Sequence, residues 1–160
     1  MKRIIIHWTG GKYTPNNIDL EHYHFLIDGN GKIIEGKYKP EDNLNCNDNI
    51  YAAHTGGGNT AAVGVALCGM FGFHSRFNQG LFPITKKQCD VLFRFVSDLS
   101  KKYNIPITSN TILTHYEFGL KNPATSSFGK IDINFLPPYP HLPPDKIGDF
   151  IRNNCISCIS

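Results

Sequence analysis

The sequence predicts an α/β or α+β protein with a central mixed β-sheet and helices packed on it. Short apolar runs bounded by glycine, proline and asparagine are typical of strands, and they are interspersed with helical patterns. Two of these runs flank a hairpin turn, and a long helix lies between two others. Together these elements indicate a mixed sheet that is covered by helices.

Length and composition indicate one globular domain spanning residues 1–160. Of the 160 residues, 41% are hydrophobic and 18% are charged, as in ordinary soluble proteins. The formal charge of +3 is not concentrated in one basic run, so it suits an anionic polymer and argues against nucleic acid. Residues 1–6 are too short for a signal peptide or a membrane helix, so we expect accumulation in the cytoplasm and no membrane partner.

The first predicted strand covers residues 4–8, a continuous apolar run. Gly10, Gly11 and the turn-forming residues 14–17 then interrupt the pattern. His7 therefore lies near the C-terminal end of a buried strand, beside a glycine loop.

A hairpin follows, because residues 23–27 and 32–35 flank the sequence Asp-Gly-Asn-Gly at residues 28–31. These turn residues tolerate positive φ, so the pattern predicts two antiparallel strands. Residues 36–49 contain Pro40 and several asparagines and aspartates, and they predict a loop.

A second glycine-rich segment, Ala-His-Thr-Gly-Gly-Gly-Asn at residues 53–59, is called the glycine-rich loop below. It leads into residues 62–68, a predicted buried strand of small and β-branched residues. Small side chains in this strand predict close packing against something large.

The longest predicted helix covers about residues 85–103. Thr85 and Gln88 have the spacing of a capping box, and apolar residues then repeat along one face. Asn104 and Pro106 end the helix.

The C-terminal third contains few regular elements. Residues 112–115 predict a short strand ending in His115, residues 120–141 predict a loop, and Pro144 opens a short helix. The five cysteines are odd in number and scattered, which favours reduced thiols. The C-x-x-C at residues 155–158 is predicted to be a fraying tail.

Two histidines, His7 and His115, close predicted strands and begin polar loops. If these strands are neighbours, both imidazoles point into one cleft at the edge of the sheet. A catalytic zinc site uses three protein ligands and keeps a fourth position for water, and the acidic candidates for the third ligand are Glu117 and Asp132. The alternative is that each histidine is a surface or hydrogen-bonded residue, and spacing alone does not decide between the two.

Five segments, taken in order, resemble one family. They are IIIHWT (residues 4–9), HYHFLIDGNGKI (22–33), AHTGGGNTAAVGVALCG (53–69), THYEF (114–118) and GKID (129–132). Together they are similar to the zinc-dependent N-acetylmuramoyl-L-alanine amidases of the type-2 amidase and peptidoglycan recognition protein superfamily. The similarity covers roughly residues 2–132 and implies the same fold, with residues 133–160 as a C-terminal extension.

The resemblance implies that one zinc ion per chain is bound by His7, His115 and Asp132. It also implies that Tyr23 and Lys130 assist catalysis. An ammonium group at Lys130 can stabilise the oxyanion that forms when an amide is attacked, and the Tyr23 hydroxyl can orient the water or the oxyanion. The alternative for Tyr23 is a half-buried aromatic residue of the strand.

The resemblance places the glycine-rich loop beside the cleft, where His54 and Asn59 could contact glycan or stem peptide. The alternative is a loop held only by its backbone turns. His24 follows Tyr23 and is expected to point to the opposite face of its strand, which makes it a poor metal ligand. The other histidines match no family position and are expected to be solvated or to serve packing: His22, His74 and His141.

The sequence departs from the family pattern in three respects. The Pro-Gly that usually follows the third ligand is replaced by residues 133–137, which leaves the path of this loop open. Residues 18–21 replace an Arg-Gly-Trp segment and affect the substrate-side wall. A glutamate that some intracellular members use as a base has no clear match, which favours Tyr23.

The expected function is hydrolysis of the amide bond between the lactyl group of N-acetylmuramic acid and L-alanine in peptidoglycan. A compact catalytic domain of this kind resembles phage or prophage endolysins, which act on the cell wall after release from the cytoplasm, and we expect a monomer. The alternative is a peptidoglycan-binding module without activity. Such members have lost a zinc ligand, whereas the presence of Asp132 beside Lys130 favours an enzyme.

Overall fold

The computed structural model describes residues 1–159. Within them, five strands form one sheet, and four α-helices and two short 3₁₀-helices surround it. The strands are β1 (Arg3–Trp8), β2 (Phe25–Ile27), β3 (Ile33–Glu35), β4 (Ala62–Leu67) and β5 (Ile112–Thr114). The helices are α1 (Asn17–His22), α2 (Lys86–Tyr103), α3 (His115–Lys121) and α4 (Ile147–Ser157), with 3₁₀ turns at Pro40–Leu44 and Pro144–Lys146.

The strand order is β3-β2-β4-β1-β5. β1 runs parallel to both of its neighbours, β4 and β5, whereas β2 is parallel to β4 and antiparallel to β3. The sheet is therefore mixed, and the predicted fold class is confirmed. The predicted hairpin is present, although β2 is shorter than expected because Tyr23 still caps α1.

Alternation along the strands gives the sheet two unlike faces. On the first, called the apolar face, Ile4, Ile6 and Trp8 join the main hydrophobic cluster together with residues of α2 and α4. On the second, called the polar face, Ile5 belongs to a separate small cluster and His7 lies two residues further along. One strand thus supplies both the core and a candidate site residue.

The long helix α2 agrees with the prediction to within one residue at its start. The Thr85 hydroxyl accepts the N–H of Gln88, and the Gln88 side chain accepts the N–H of Thr85. The same Gln88 amide donates to the carbonyls of Ile27 and Cys68, which joins α2 to the ends of β2 and β4. Asn104 ends the helix in a left-handed conformation with φ of 53°.

The segment after Asp132 returns to the apolar face. Ile133 and Leu136 are fully buried in the main cluster, and α4 packs against α2. Cys155 of α4 is also fully buried, so the prediction of a fraying tail at residues 155–158 is wrong. The cysteines are free thiols, as predicted. Among residues 1–159, no helix is long and apolar enough to span a membrane.

Three short elements are not predicted from the sequence: α1, α3 and the 3₁₀-helix Pro40–Leu44. They contain six, seven and five residues, which is too few to show a helical repeat of apolar positions. α1 begins with a capping box between Asn16 and Asp19. Only this local capping signal marks it in the sequence.

Candidate active site

His7 and His115 lie side by side because β1 and β5 are parallel neighbours. Ile6 pairs with Thr114 in the register, so the next residues along the two strands are the two histidines. Their ring centroids are 4.7 Å apart, and both side chains are buried. The predicted neighbourhood of these two strands is therefore present, and the two imidazoles meet at their ends.

The sequence predicted that His115 would be the last residue of a strand. In the structure it is the first residue of α3. The Thr114 hydroxyl accepts the N–H of Glu117, and the Glu117 carboxylate accepts the N–H of Thr114. Arg152 of α4 donates to both carboxylate oxygens of Glu117 at 3.0 and 2.9 Å, and to the carbonyl of Ile112 at 2.8 Å. The start of α3, and with it His115, is thereby held from behind by α4.

The Asp132 carboxylate lies between the two imidazoles. Its Oδ2 is 2.9 Å from His7 Nδ1, and its two oxygens are 3.2 and 3.3 Å from His115 Nδ1. The Asp132 carbonyl accepts the N–H of Tyr116 at 2.6 Å, which ties this loop to α3. One ligand atom from each of the three residues lies within 4.8 Å of the others. Glu117, the other acidic candidate, is engaged in the capping box.

Burial controls the charge state of this group. Burial lowers the pKa of His7 to about 4, although the adjacent Asp132 opposes this shift. Burial alone raises the pKa of Asp132, but the adjacent His115 and His7 imidazoles, which donate to the carboxylate when they are protonated, make the net shift downward. Near neutral pH an uncharged His7 and an ionised carboxylate therefore face each other. These are the forms in which both side chains ligate a metal ion.

An open cleft of about 370 Å³ leads to these residues. Tyr23 and Lys130 both line it, the first half-buried with its ring centroid 5.1 Å from that of His7, the second exposed. His22 is exposed and also lines the cleft. Gly10 has a φ of 72°, and apart from its two chain neighbours no residue comes within 4 Å of the point where a Cβ atom would lie, so this position keeps one wall open.

The glycine-rich loop packs on the polar face through its own buried residue His54. The His54 ring fills the space above Gly64, where a Cβ atom would come within 2.5 Å of the His54 Cγ. The predicted close packing against small residues of β4 is confirmed. His54 lines the cleft, and its Nδ1 is 3.2 Å from His7 Nε2. Asn59 uses its side-chain oxygen within the loop, where it accepts the N–H groups of His54 and Thr55.

His24 does not point away from the site, so the expectation of opposite faces for Tyr23 and His24 is wrong. β2 begins only after His24, and strand alternation therefore does not apply to this pair. The His24 ring lies 5.5 Å from that of His54. Its Nδ1 accepts the N–H of Gly64 and its Nε2 pairs with the Asn43 side-chain oxygen. Both ring nitrogens are thus engaged, which leaves His24 a poor metal ligand for a different reason.

Two hydroxyl side chains that contact the histidines are missed by sequence reasoning. Thr55 Oγ1 is 3.3 Å from His7 Nε2, and Ser127 Oγ is 3.0 Å from His115 Nε2. Ser127 lies in a loop rich in small polar residues and carries no periodic signal. Thr55 lies next to His54 in a segment that resembles the family, and this position is its only signal in the sequence.

Two imidazoles and a carboxylate that converge beside an open cleft form a group that could hold a metal ion, as in metallohydrolases. The chain belongs to the N-acetylmuramoyl-L-alanine amidase family (Amidase_2), which matches residues 1–128. It is therefore an amidase of the type-2 family. No curated protein sequence matches the chain significantly.

Several solved structures share this fold. A mutant form of PlyL has a TM-score of 0.55 at 19% identity, covering 98% of this chain and 85% of that chain. The Staphylococcus aureus hydrolase AmiA, in complex with its ligand, has a TM-score of 0.55 at 12% identity, covering 99% and 76%. The N-acetylmuramoyl-L-alanine amidase LysC from Clostridium intestinale URNW has a TM-score of 0.50 at 20% identity, covering 78% and 75%. The predicted type-2 amidase fold is confirmed.

The family match ends at residue 128, before two of the candidate residues. His7, Tyr23 and His115 lie within the matched stretch. Lys130 and Asp132 lie beyond it, so their roles are argued from their place in the cleft.

Proposed function

We propose that this amidase requires zinc and hydrolyses the bond between the lactyl group of N-acetylmuramic acid and L-alanine in peptidoglycan. The observation that carries the proposal is the convergence of His7, His115 and Asp132 at the cleft. The family match supplies the reaction class.

The three side chains suit zinc in donor type, and the carboxylate suits it in its distance from each imidazole. Zinc prefers nitrogen, sulfur and carboxylate ligands at about 2.0–2.2 Å, which places neighbouring ligand atoms of a tetrahedron about 3.3 Å apart. The Asp132 oxygens lie 2.9 to 3.3 Å from the Nδ1 atoms of His7 and His115. Three protein ligands leave a fourth position for water or substrate, which is the pattern of a catalytic zinc site and not of a structural one.

Lys130 is the proposed electrostatic group. When bound, zinc lowers the pKa of a coordinated water towards about 7 and polarises the scissile carbonyl. Attack on the amide develops negative charge on the carbonyl oxygen. The exposed ammonium of Lys130, in the cleft wall two residues before Asp132, supplies a compensating positive charge. Such a contact typically stabilises the transition state by about 3 kcal/mol.

Tyr23 is proposed to act as a hydrogen-bond donor. Burial, together with the nearby charge of Asp132, raises the pKa of Tyr23 well above its ordinary value. The hydroxyl therefore keeps its proton at neutral pH. In this form it orients the attacking water or the oxyanion and does not remove a proton.

We also propose a biological role as a monomeric phage or prophage endolysin, which accumulates in the cytoplasm and acts on the wall after release. The sequence resemblance supports this role. Lysis of bacteria whose membrane has been permeabilised before the purified protein is added tests it, and intact cells after this treatment would count against it.

Digestion of purified muropeptides, followed by mass analysis, tests the proposed reaction. The expected products are free stem peptide with an N-terminal L-alanine and glycan with an intact lactyl carboxylate. A chelator should stop product release, and added zinc should restore it. Cleavage between sugars or within the peptide would contradict the assigned bond, whereas release that resists the chelator would contradict the zinc requirement.

A further inference from the structure

Ser127 determines which ring nitrogen of His115 carries a proton. Its Oγ donates its single proton to the carbonyl of Gly56 at 2.7 Å. At the 3.0 Å contact with His115 Nε2 the hydroxyl can therefore only accept. In neutral His115 the proton lies on Nε2, and Nδ1 presents its lone pair towards Asp132. Because Ser127 is fully buried, these bonds are shielded from solvent.

His54 and Thr55 act on His7 in the same way. His54 Nε2 lies 3.3 Å from the carbonyl oxygen of Ala62, which can only accept, so the His54 proton lies on Nε2 and its Nδ1 accepts. The Thr55 hydroxyl donates to this Nδ1 at 2.7 Å. The Thr55 oxygen, whose own proton is used in this bond, is the acceptor that faces His7 Nε2 at 3.3 Å. His54 Nδ1 lies 3.2 Å from the same atom, but its single lone pair already accepts from Thr55. In neutral His7 the proton must therefore lie on Nε2.

Both imidazoles consequently direct Nδ1 lone pairs at the Asp132 carboxylate. Three acceptors that face one another repel, and only a shared proton or a cation between them relieves the repulsion. Behind the two Nε2 atoms, Ser127 is hydrogen-bonded to the carbonyl oxygen of Gly56, and His54 is hydrogen-bonded to that of Ala62. Gly56 lies within the glycine-rich loop and Ala62 follows it.

We infer that the glycine-rich loop, residues 53–59, presets both histidines for metal binding through Nδ1. His54 and Thr55 are the positioning residues for His7, and Ser127 is the positioning residue for His115. This role rests on the proposed zinc site and is additional to any contact that His54 makes with substrate. Partners of this kind fix the tautomer and orientation of metal-ligating histidines.

Zinc affinity, measured by competition with a chelating dye, tests these roles without substrate. Ser127→Ala removes only a hydroxyl and should weaken zinc binding about 10- to 100-fold, the typical range for loss of a partner behind a metal ligand. Thr55→Val removes a hydroxyl at nearly constant shape and should act in the same direction. Thr55→Ser keeps the hydroxyl and should bind zinc as the wild type does.

Ser97→Ala is the matched control. Ser97 is also a buried serine, but it lies on α2 at the apolar face, and its replacement should leave zinc affinity unchanged. Nitrogen-15 NMR of the zinc-loaded protein supplies a second measurement. It should detect Nε2–H protons on His7 and His115, and Ser127→Ala should accelerate exchange of the His115 proton alone.

Circular dichroism verifies that each variant is folded, and Ser127→Ala is decisive if Thr55→Val does not fold. Wild-type zinc affinity in the folded variants, or an Nδ1–H proton on either histidine in the zinc-loaded protein, would overturn the positioning roles and leave the zinc site standing. If the wild-type chain binds no zinc, the proposed function fails and the positioning roles fail with it.

Discussion

The two faces of the sheet are built from the same strands but are stabilised in opposite ways. On the apolar face, Ile4 and Ile6 of β1 are 0% and 1% exposed, and each such side chain stabilises the fold by about 1.5–3 kcal/mol. On the polar face, His7 of the same strand is also 0% exposed. Burying its polar ring costs free energy unless both nitrogens find partners.

The strand β4 shows the same division. Val63 and Val65 fill the apolar face, whereas Gly64 leaves space on the polar face for the ring of His54. Large apolar side chains therefore stabilise one face, and small residues make room for imidazoles on the other. Changes on the polar face should alter metal binding and catalysis, and changes on the apolar face should alter stability.

The largest effect should come from Asp132→Ala on the polar face. Loss of the carboxylate removes one of three proposed ligands, so turnover should fall to background and the zinc content per chain should fall with it. Metal analysis and the muropeptide assay measure both. Asp98→Ala, which changes an exposed aspartate of α2, should preserve both. If Asp132→Ala keeps its zinc and its turnover, the ligand assignment is wrong.

On the apolar face, Leu92→Ala should produce the next largest effect, on stability. Leu92 of α2 is 1% exposed in the main cluster, and truncation of such a leucine typically costs about 2–5 kcal/mol. Denaturant titration should show this loss in the free energy of unfolding. The folded variant should bind zinc as the wild type does, and a large drop in zinc affinity would break the division between the faces.

Lys130→Ala should sharpen the comparison further, because it changes the cleft without changing the metal ligands. The rate should fall about 100-fold, since a group that stabilises an oxyanion typically contributes about 3 kcal/mol. Zinc content and stability should stay the same because Lys130 is exposed. Lys32→Ala, at the exposed hairpin turn, is the control. An unchanged rate would remove Lys130 from the mechanism.

Last, the metal-free protein should lose stability gradually as the solution becomes acid. Burial lowers the pKa of His7 to about 4 and that of His54 well below its ordinary value. Between about pH 6.5 and pH 4 the unfolded chain therefore binds protons that the folded chain does not, and stability falls as the pH falls. The slope should approach about 1.4 kcal/mol per pH unit for each histidine. Denaturant titrations across this range measure it, and a flat profile would mean that protons enter the polar face without unfolding.

Local features of this protein could be predicted from the sequence because they depend on neighbouring residues. The capping box at Thr85 and the apolar repeat define α2, and the turn residues at 28–31 define the hairpin. By contrast, the meeting of His7 and His115 depends on the strand order, which no local pattern contains. The spacing also gives both Glu117 and Asp132 as acidic candidates. Asp132 is favoured because its loop could fold back over the cleft, and the resemblance to the family points to the same residue.

The residues behind the histidines could not be predicted for a related reason. Ser127 bonds to the carbonyl of Gly56, a residue 71 positions away in the chain. Such a contact depends on how two loops meet in space, and no spacing in the sequence records it. The failure at His24 has a different cause, because the exact start of β2 decides whether alternation applies.

Arg152 bears on how this enzyme can be divided and joined to other proteins. It lies beyond residue 128, where the family match ends, yet it binds the Glu117 carboxylate directly behind His115. A fragment cut at that boundary would leave Glu117 without its cation and would uncover the core where Ile147 and Ile151 pack. The smallest fragment that keeps the site intact therefore includes α4. A wall-targeting fusion partner should be attached after residue 157.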